Sequence, residues 1–464
     1  MALIESIIKN IPGVTKPVEK QNFKARIKWT AIILILYFFL SEVYIYGIAP
    51  SQLSQLAQLA ALMGASFGTL MTLGIGPIVT ASIMLQLFVG SGIVGWDMTS
   101  HEGRAKFQGT QKLLAYIFAI IESAAYTFLG AVQPVNFLPL TLFLIVVQLT
   151  LGGWLVILMD EVVSKWGFGS GVSMFIAAGI GKQLFISMFN LAKSATGEFI
   201  GVVPALFDNL LRGNVGLNVL SIYLVPIIAT LFVFILVVYG QALRVEIPLA
   251  FGAFRGFGRK WTLKFIYSSN MPVILTSAVL INIEVWAKLL AKTAVAGTTK
   301  MCGLLGCYEG NQAVSGIVHY VTPPSQFMLN LINLNIIPDE VIRVITYTIF
   351  MVAGSVLFSI FWVNTSGMDA RSVSNQILRS GMQIPGFRRD PRIIESVLQR
   401  YITPLAVLGG AFVGLLASLA DFSGALVRGT GLLLTVMIIY QMYEQLAMQH
   451  LEDMNPMVRK FFEK

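Results

Sequence analysis

Hydrophobic positions in this chain gather into long uncharged runs, without the two-residue alternation of half-buried strands or the one-faced stripe of surface helices. Phe137 to Met159 is 23 residues without a charge, and Gly216 to Gln241 is 26. A helix crosses the hydrocarbon core with ~20 apolar residues, so each run is long enough to span. Reading the whole chain this way predicts ten spans, at 28–47, 75–92, 112–132, 137–159, 171–190, 217–240, 265–288, 341–363, 401–420 and 427–445. The fold class is therefore all-α, a polytopic membrane protein with ten transmembrane helices.

One stretch breaks the pattern. From Val43 to Trp96 there are 54 consecutive positions without a charge, too many for one span. Residues 51–73 open with Ser51, Gln52, Ser54, Gln55 and Gln58 and continue through small Gly64, Ala65, Ser66, Gly68 and Thr69. Such a segment is costly in lipid and is tolerated only against protein or a water-filled cavity. It is expected to enter the membrane without crossing it, as a short re-entrant helix. The next span then opens at Gly74-Ile75-Gly76-Pro77, where glycine breaks the preceding structure and proline pre-sets a first helical turn.

Charge fixes the expected orientation. With the N-terminus inside, 24 of the 32 Lys and Arg residues fall on cytoplasmic segments, and only Lys193, Arg212, Lys292 and Lys300 on outward loops. This is the positive-inside bias of inserted helices, and it puts both termini in the cytoplasm. Residues 2–11 read as a short amphipathic helix on the inner surface. Composition agrees with the class: 56% of the 464 residues are apolar and 12% charged, about half the charged share of a soluble chain.

Candidate chemistry is sparse. Gly64-Ala65-Ser66-Phe67-Gly68 has the G-x-S-x-G form of a nucleophile elbow, but no strand precedes it, and His101 and His450 lie on the opposite side of the membrane. The same glycines suit close helix packing. No H-E-x-x-H, P-loop or dinucleotide fingerprint occurs. Asn364-Thr365-Ser366 fits the glycosylation pattern on the cytoplasmic side, where it is silent. No catalytic residue, cofactor or metal is expected. Glu122, Lys182, Glu284 and Glu444 fall in or at the ends of spans, and intramembrane charge marks functional candidates. An ion-coupled secondary transporter would need such groups to converge at the midplane, and only Glu122 is central. An intramembrane hydrolase would need a nucleophile and base at one depth. Cys302 and Cys307 share the outward loop 289–340, which leaves a disulfide and two free thiols equally open.

Five blocks then carry a specific resemblance. They are Thr69–Ser82 (TLMTLGIGPIVTAS), Phe107–Lys112 (FQGTQK), Asp160–Gly171 (DEVVSKWGFGSG), Arg400-Tyr401-Ile402, and Tyr440–Leu446 (YQMYEQL). In this order they resemble the SecY family, the large pore-forming subunits of the Sec protein-conducting channel, in its archaeal and eukaryotic form. The resemblance implies two inverted pseudo-symmetric halves, 28–190 and 217–446, joined by the outward loop 191–216. The cytoplasmic segments 1–27 and 447–464 flank them. It implies a pore ring of Ile75, Val79, Val172, Ile176, Ile274 and Leu434, and a plug at about 57–70 that includes Leu62, Gly64, Ser66 and Gly68. Thr80, Glu122 and Asn282 match a polar cluster at a lateral gate. Arg244, Arg255, Arg388 and Arg389 match loops that dock a ribosome, although the first loop reads Arg244-Val245-Glu246-Ile247-Pro248 where relatives often carry consecutive basic residues. The implied function is translocation of unfolded secretory polypeptides across the cell membrane and lateral release of transmembrane segments into it. The implied partners are SecE-like and Sec-beta-like small membrane subunits, ribosomal RNA or another driving partner, signal sequences, nascent polypeptides and membrane lipids.

Overall fold

The computed structural model describes residues 11–19, 21–48, 65–98, 100–128, 132, 134–193, 197–213, 216–251, 258–291, 293–294, 300–309, 312–324, 327–332, 337–379, 382–383 and 391–454. All but the last residue of the expected surface helix at 2–11, the plug residues up to Gly64 (Leu62 among them), Arg255, Arg388, Arg389 and the tail beyond Met454 lie outside them.

Each of the ten predicted spans falls on a helix. In chain order these are α1 (Phe23–Leu40), α2 (Gly76–Gly90), α3 (His101–Phe128), α4 (Pro139–Trp166) and α5 (Gly171–Phe189), then α7 (Leu217–Ala242), α8 (Met271–Leu290), α11 (Pro338–Thr365), α13 (Pro391–Phe422) and α14 (Gly429–Met454). Shorter helices are α6 (Val202–Leu211), α9 (Ile317–Val321), α10 (Phe327–Ile332) and α12 (Ala370–Arg379). Seven described helices are long and apolar enough to cross a membrane by themselves, which makes this a multi-pass membrane protein. The other three of the ten depart for visible reasons. α1 carries Lys24, Arg26 and Lys28, α3 begins with a charged turn, and α2 has only 15 residues.

The boundaries differ where water begins. α3 starts at His101 and not at 112, and α14 runs to Met454 and not to 445. Hydropathy sees only the apolar part of a helix that continues into solvent as a polar rod. The first span ends early for another reason. After Leu40 the chain extends, and it trades backbone hydrogen bonds with the base of the expected plug: Ile45 N–H donates to Gly68 O and Leu70 N–H to Val43 O, both at 3.0 Å. Residues 65–75 themselves are turns rather than helix.

Two small sheets add to the all-α expectation. β1 (Arg244–Phe251) pairs antiparallel with β2 (Gly258–Lys264) and with β7 (Met382–Gln383) on one side of the membrane. On the other, β3 (Thr293–Ala294), β4 (Lys300–Gly303), β5 (Gly306–Glu309) and β6 (Gln312–Ser315) form a four-stranded meander. Cys302 and Cys307 sit opposite each other in β4 and β5 and are joined by a disulfide.

The five long helices before loop 191–216 meet the five after it along two lines. α2 packs against α8 and α11, and α5 packs against α14. Close approach needs glycine in places. A Cβ on Gly152 of α4 would stand 1.9 Å from Leu70 O, which fixes the base of the plug segment against the helix.

Candidate functional site

Between the two contact lines α2, α5, α8 and α14 converge on an apolar waist. Ile75 comes from the N-cap of α2 and Val79 from its first turn, Ile176 from α5, Ile274 from α8 and Leu434 from α14. All five are buried, and they close on a cavity of about 10 Å³, close to the least space one water needs. Pro77 in the first turn of α2 and Pro272 in the first turn of α8 start these helices where the chain would otherwise turn away.

The sixth expected ring residue, Val172, does not line the narrowest cavity but shares the adjoining wider one with Val79 and Ile274. Val172 lies in the first turn of α5, and its N–H donates to Asp160 Oδ1 at 2.8 Å. That cap brings the chain so close that a Cβ on Gly171 would meet Asp160 Cα at 2.6 Å. The block Asp160–Gly171 is therefore a capping device for α5. It leaves Val172 one turn from the waist, on the wall of a wider cavity of about 370 Å³. Ser82, Gln86, Arg104, Gln108, Gln111, Asp160 and Ser170 give that cavity a polar lining.

Three further residues line the waist: Ser277, Ala278 and Ile281. With Ile274 they occupy i, i+3, i+4 and i+7 of α8, one helical face, and that spacing was the signal in the sequence.

At the α2–α3 side of the seam, Thr80 Oγ1 donates to Glu122 Oε1 at 3.0 Å, and Glu122 Oε2 is buried without a protein partner. Asn282 is half-buried on α8 and adds no hydrogen bond to this pair, so the expected cluster of three is a pair. Ser66 and Gly68 sit in the turns at the plug's base, where Ser66 O accepts from Thr69 Oγ1 at 2.7 Å and Gly68 takes φ 84°.

The other intramembrane charges are each paired nearby. Lys182 reaches Glu42, Glu284 meets Arg428 Nη2 at 3.2 Å, and Glu444 binds Lys264 and Arg244, the latter at 3.5 Å. The four candidates do not converge, and among the described residues no His, Cys, Asp and Glu group could hold a metal ion. Arg244 thus serves partly to tie β1 to α14. On the same side Glu161 gathers Lys112 at 2.9 Å, Lys165 at 2.6 Å and the Val14 N–H at 3.0 Å, pinning the N-terminal segment to α3 and α4.

Known proteins match this arrangement along the chain. The SecY family model covers residues 69–443, and the model for the plug domain of Sec61p covers 35–68. Protein translocase subunit SecY of Methanocaldococcus jannaschii is 41% identical over 459 residues, covering 99% of both chains. Its counterpart in Methanothermobacter thermautotrophicus is 40% identical over 467 residues, covering 98% of both. Among solved structures, that of a protein-conducting channel superposes with a TM-score of 0.80 at 40% identity, over 97% of this chain and 98% of that one. Sec61 in the canine ribosome–channel complex from the endoplasmic reticulum superposes with a TM-score of 0.77 at 39% identity, over the same shares. The chain with this apolar waist, paired seam and plug base belongs to the SecY family.

Proposed function

We propose that this chain forms the pore of a protein-conducting channel, with unfolded polypeptide crossing at the waist and transmembrane segments leaving sideways through the α2–α3 and α8–α11 seam. The observation that carries the reading is the waist itself, closed by aliphatic side chains drawn from both halves. A narrow apolar constriction dewets and so resists ions. The same side chains offer a passing chain only weak, unselective contact, which suits a substrate of any sequence. The function is conduction rather than catalysis. The scattered, locally paired charges argue against the ion-coupled transporter, which needs them at one depth.

In this reading the halves 28–190 and 217–446 swing about loop 191–216, and the Thr80–Glu122 hydrogen bond ties α2 to α3 on one wall of the seam. Val172 lines the approach to the ring. The segment at about 57–70 acts as plug, with Leu62, Gly64, Ser66 and Gly68 in it. Both termini, 1–27 and 447–464, lie in the cytoplasm of a cell-membrane protein, as the distribution of basic residues favours. The canine relative is seen in a ribosome–channel complex. Loops 241–264 and 364–400 give this chain basic residues for a polyanionic RNA, with Arg255, Arg388 and Arg389 as contacts. SecE-like and Sec-beta-like subunits complete the assembly. Signal sequences and nascent chains are its cargo, and lipid surrounds it.

Crosslinking tests the pore. Photoreactive probes at Ile75 and Ile274 should capture a stalled, ribosome-bound secretory chain, while a probe at Phe232, on the exposed face of α7, should not. Labelling at Phe232 with silence at both waist positions would remove the assignment.

A further inference from the structure

Serine and threonine inside a spanning helix commonly donate their hydroxyl proton to the carbonyl one turn earlier. Around the waist this holds for Thr276, which donates to Pro272 O at 2.8 Å, and for Thr435, which donates to Gly431 O at 2.9 Å. Ser277 departs from it. Its Oγ is buried with no protein partner, and its side chain lines the apolar waist beside Ile274 and Val79. One other serine among the described residues shares the orphan hydroxyl, Ser355, and it lies at the contact of α11 with Gly410 of α13, away from the waist.

The surroundings decide what this hydroxyl can do. The waist cavity of about 10 Å³ is at the limit for a single water, and a buried water needs two to four polar partners. The other side chains lining it are aliphatic, so the closed waist stays dry and Ser277 stays unpaired. An unpaired buried hydroxyl disfavours the state that contains it by about 5- to 100-fold. Widening the waist relieves that penalty as soon as water reaches Oγ, whereas the surrounding aliphatic groups gain nothing from it.

We propose that Ser277 is a gating residue of the channel: its orphan hydroxyl penalises the closed waist and takes its first hydrogen bond from entering water, so that wetting begins on α8. The proposal rests on the pore reading above. It makes the gasket asymmetric, with one wettable point set among seven aliphatic side chains.

The test uses the full-length chain with its partner subunits in planar bilayers, with no translocating polypeptide present, so that water is the one source of the new hydrogen bond. Ser277→Ala should lower the frequency of spontaneous openings about tenfold. It should also unfold at the same temperature as the wild type or a higher one. Ile274→Ser serves as the control for the pore and should raise the leak. If Ile274→Ser leaks while Ser277→Ala opens as often as wild type or more often, the gating role is overturned and the pore stands. A lower unfolding temperature for Ser277→Ala would reveal a structural partner for the hydroxyl and overturn the role as well. If Ile274→Ser fails to leak, the pore reading itself falls, and this inference with it.

Discussion

α7 and α8 follow one another in the chain, and the more apolar of the two is the less buried. In the most apolar window of α7, 22% of residues are buried, against 61% for α8. In a soluble protein the order would be reversed. Lipid tails solvate leucine as well as protein does, so apolarity gives a spanning helix no reason to seek the interior. α7 accordingly turns Ile228, Leu231, Phe232 and Ile235 outward. α8 carries Thr276, Ser277, Asn282 and Glu284, groups that lipid penalises, and it is enclosed by α2, α11, α13 and α14. The helix that works is marked by what it cannot show to lipid.

The comparison can be broken most sharply at Glu284. Arg428→Met strips the guanidinium from that buried carboxylate, leaving Lys288 as its neighbouring cation, and should cost about 3–5 kcal/mol in detergent unfolding. The double variant Glu284→Leu with Arg428→Met should recover most of the loss, because two apolar groups replace the pair. An equal loss in single and double variants would mean that the pair does not anchor α8. The next test sets one helix directly against the other. Ile274→Asn on α8 should raise resting conductance in planar bilayers several-fold, while Ile235→Asn on the lipid face of α7 should leave it at background. Equal leak from both would erase the functional distinction. The smallest effect belongs to the seam. Thr80→Val removes the α2–α3 hydrogen bond to Glu122, worth about 0.6 kcal/mol in a membrane interior, and should lower the unfolding free energy in detergent by that much while leaving engineered cysteine crosslinking across α2 and α8 unchanged.

Much of this architecture was legible in the residues, and the failures have physical causes. The ten apolar runs located the spanning helices because length and charge are what a bilayer selects. Helix ends were read poorly wherever a helix continues into water, as at His101 and Met454. Ile75, Val79, Ile176, Ile274 and Leu434 line the narrowest cavity, while Val172 joins Val79 and Ile274 on the wider one, since the Asp160 cap places it in the first turn of α5, a contact between residues 12 apart in sequence that spacing alone does not reveal. Ser277 went unread although it shares a helical face with Ile274, because a serine among aliphatic residues resembles ordinary helix packing. The strands β1 to β7 were missed because the long loops were read for charge, and the alternation in Arg244–Phe251 was passed over.

The brevity of α2 has a consequence for the surrounding lipid. Fifteen residues reach about 22 Å, short of the ~30 Å hydrocarbon thickness. Met84, Leu87 and Phe88 on that helix are exposed on the surface of the chain. Acyl chains beside so short a helix shorten or tilt to match it, so a short α2 favours a thinned bilayer at the lip of the seam. A hydrophobic segment leaving the channel there enters lipid that is already disordered, before it reaches membrane of full thickness.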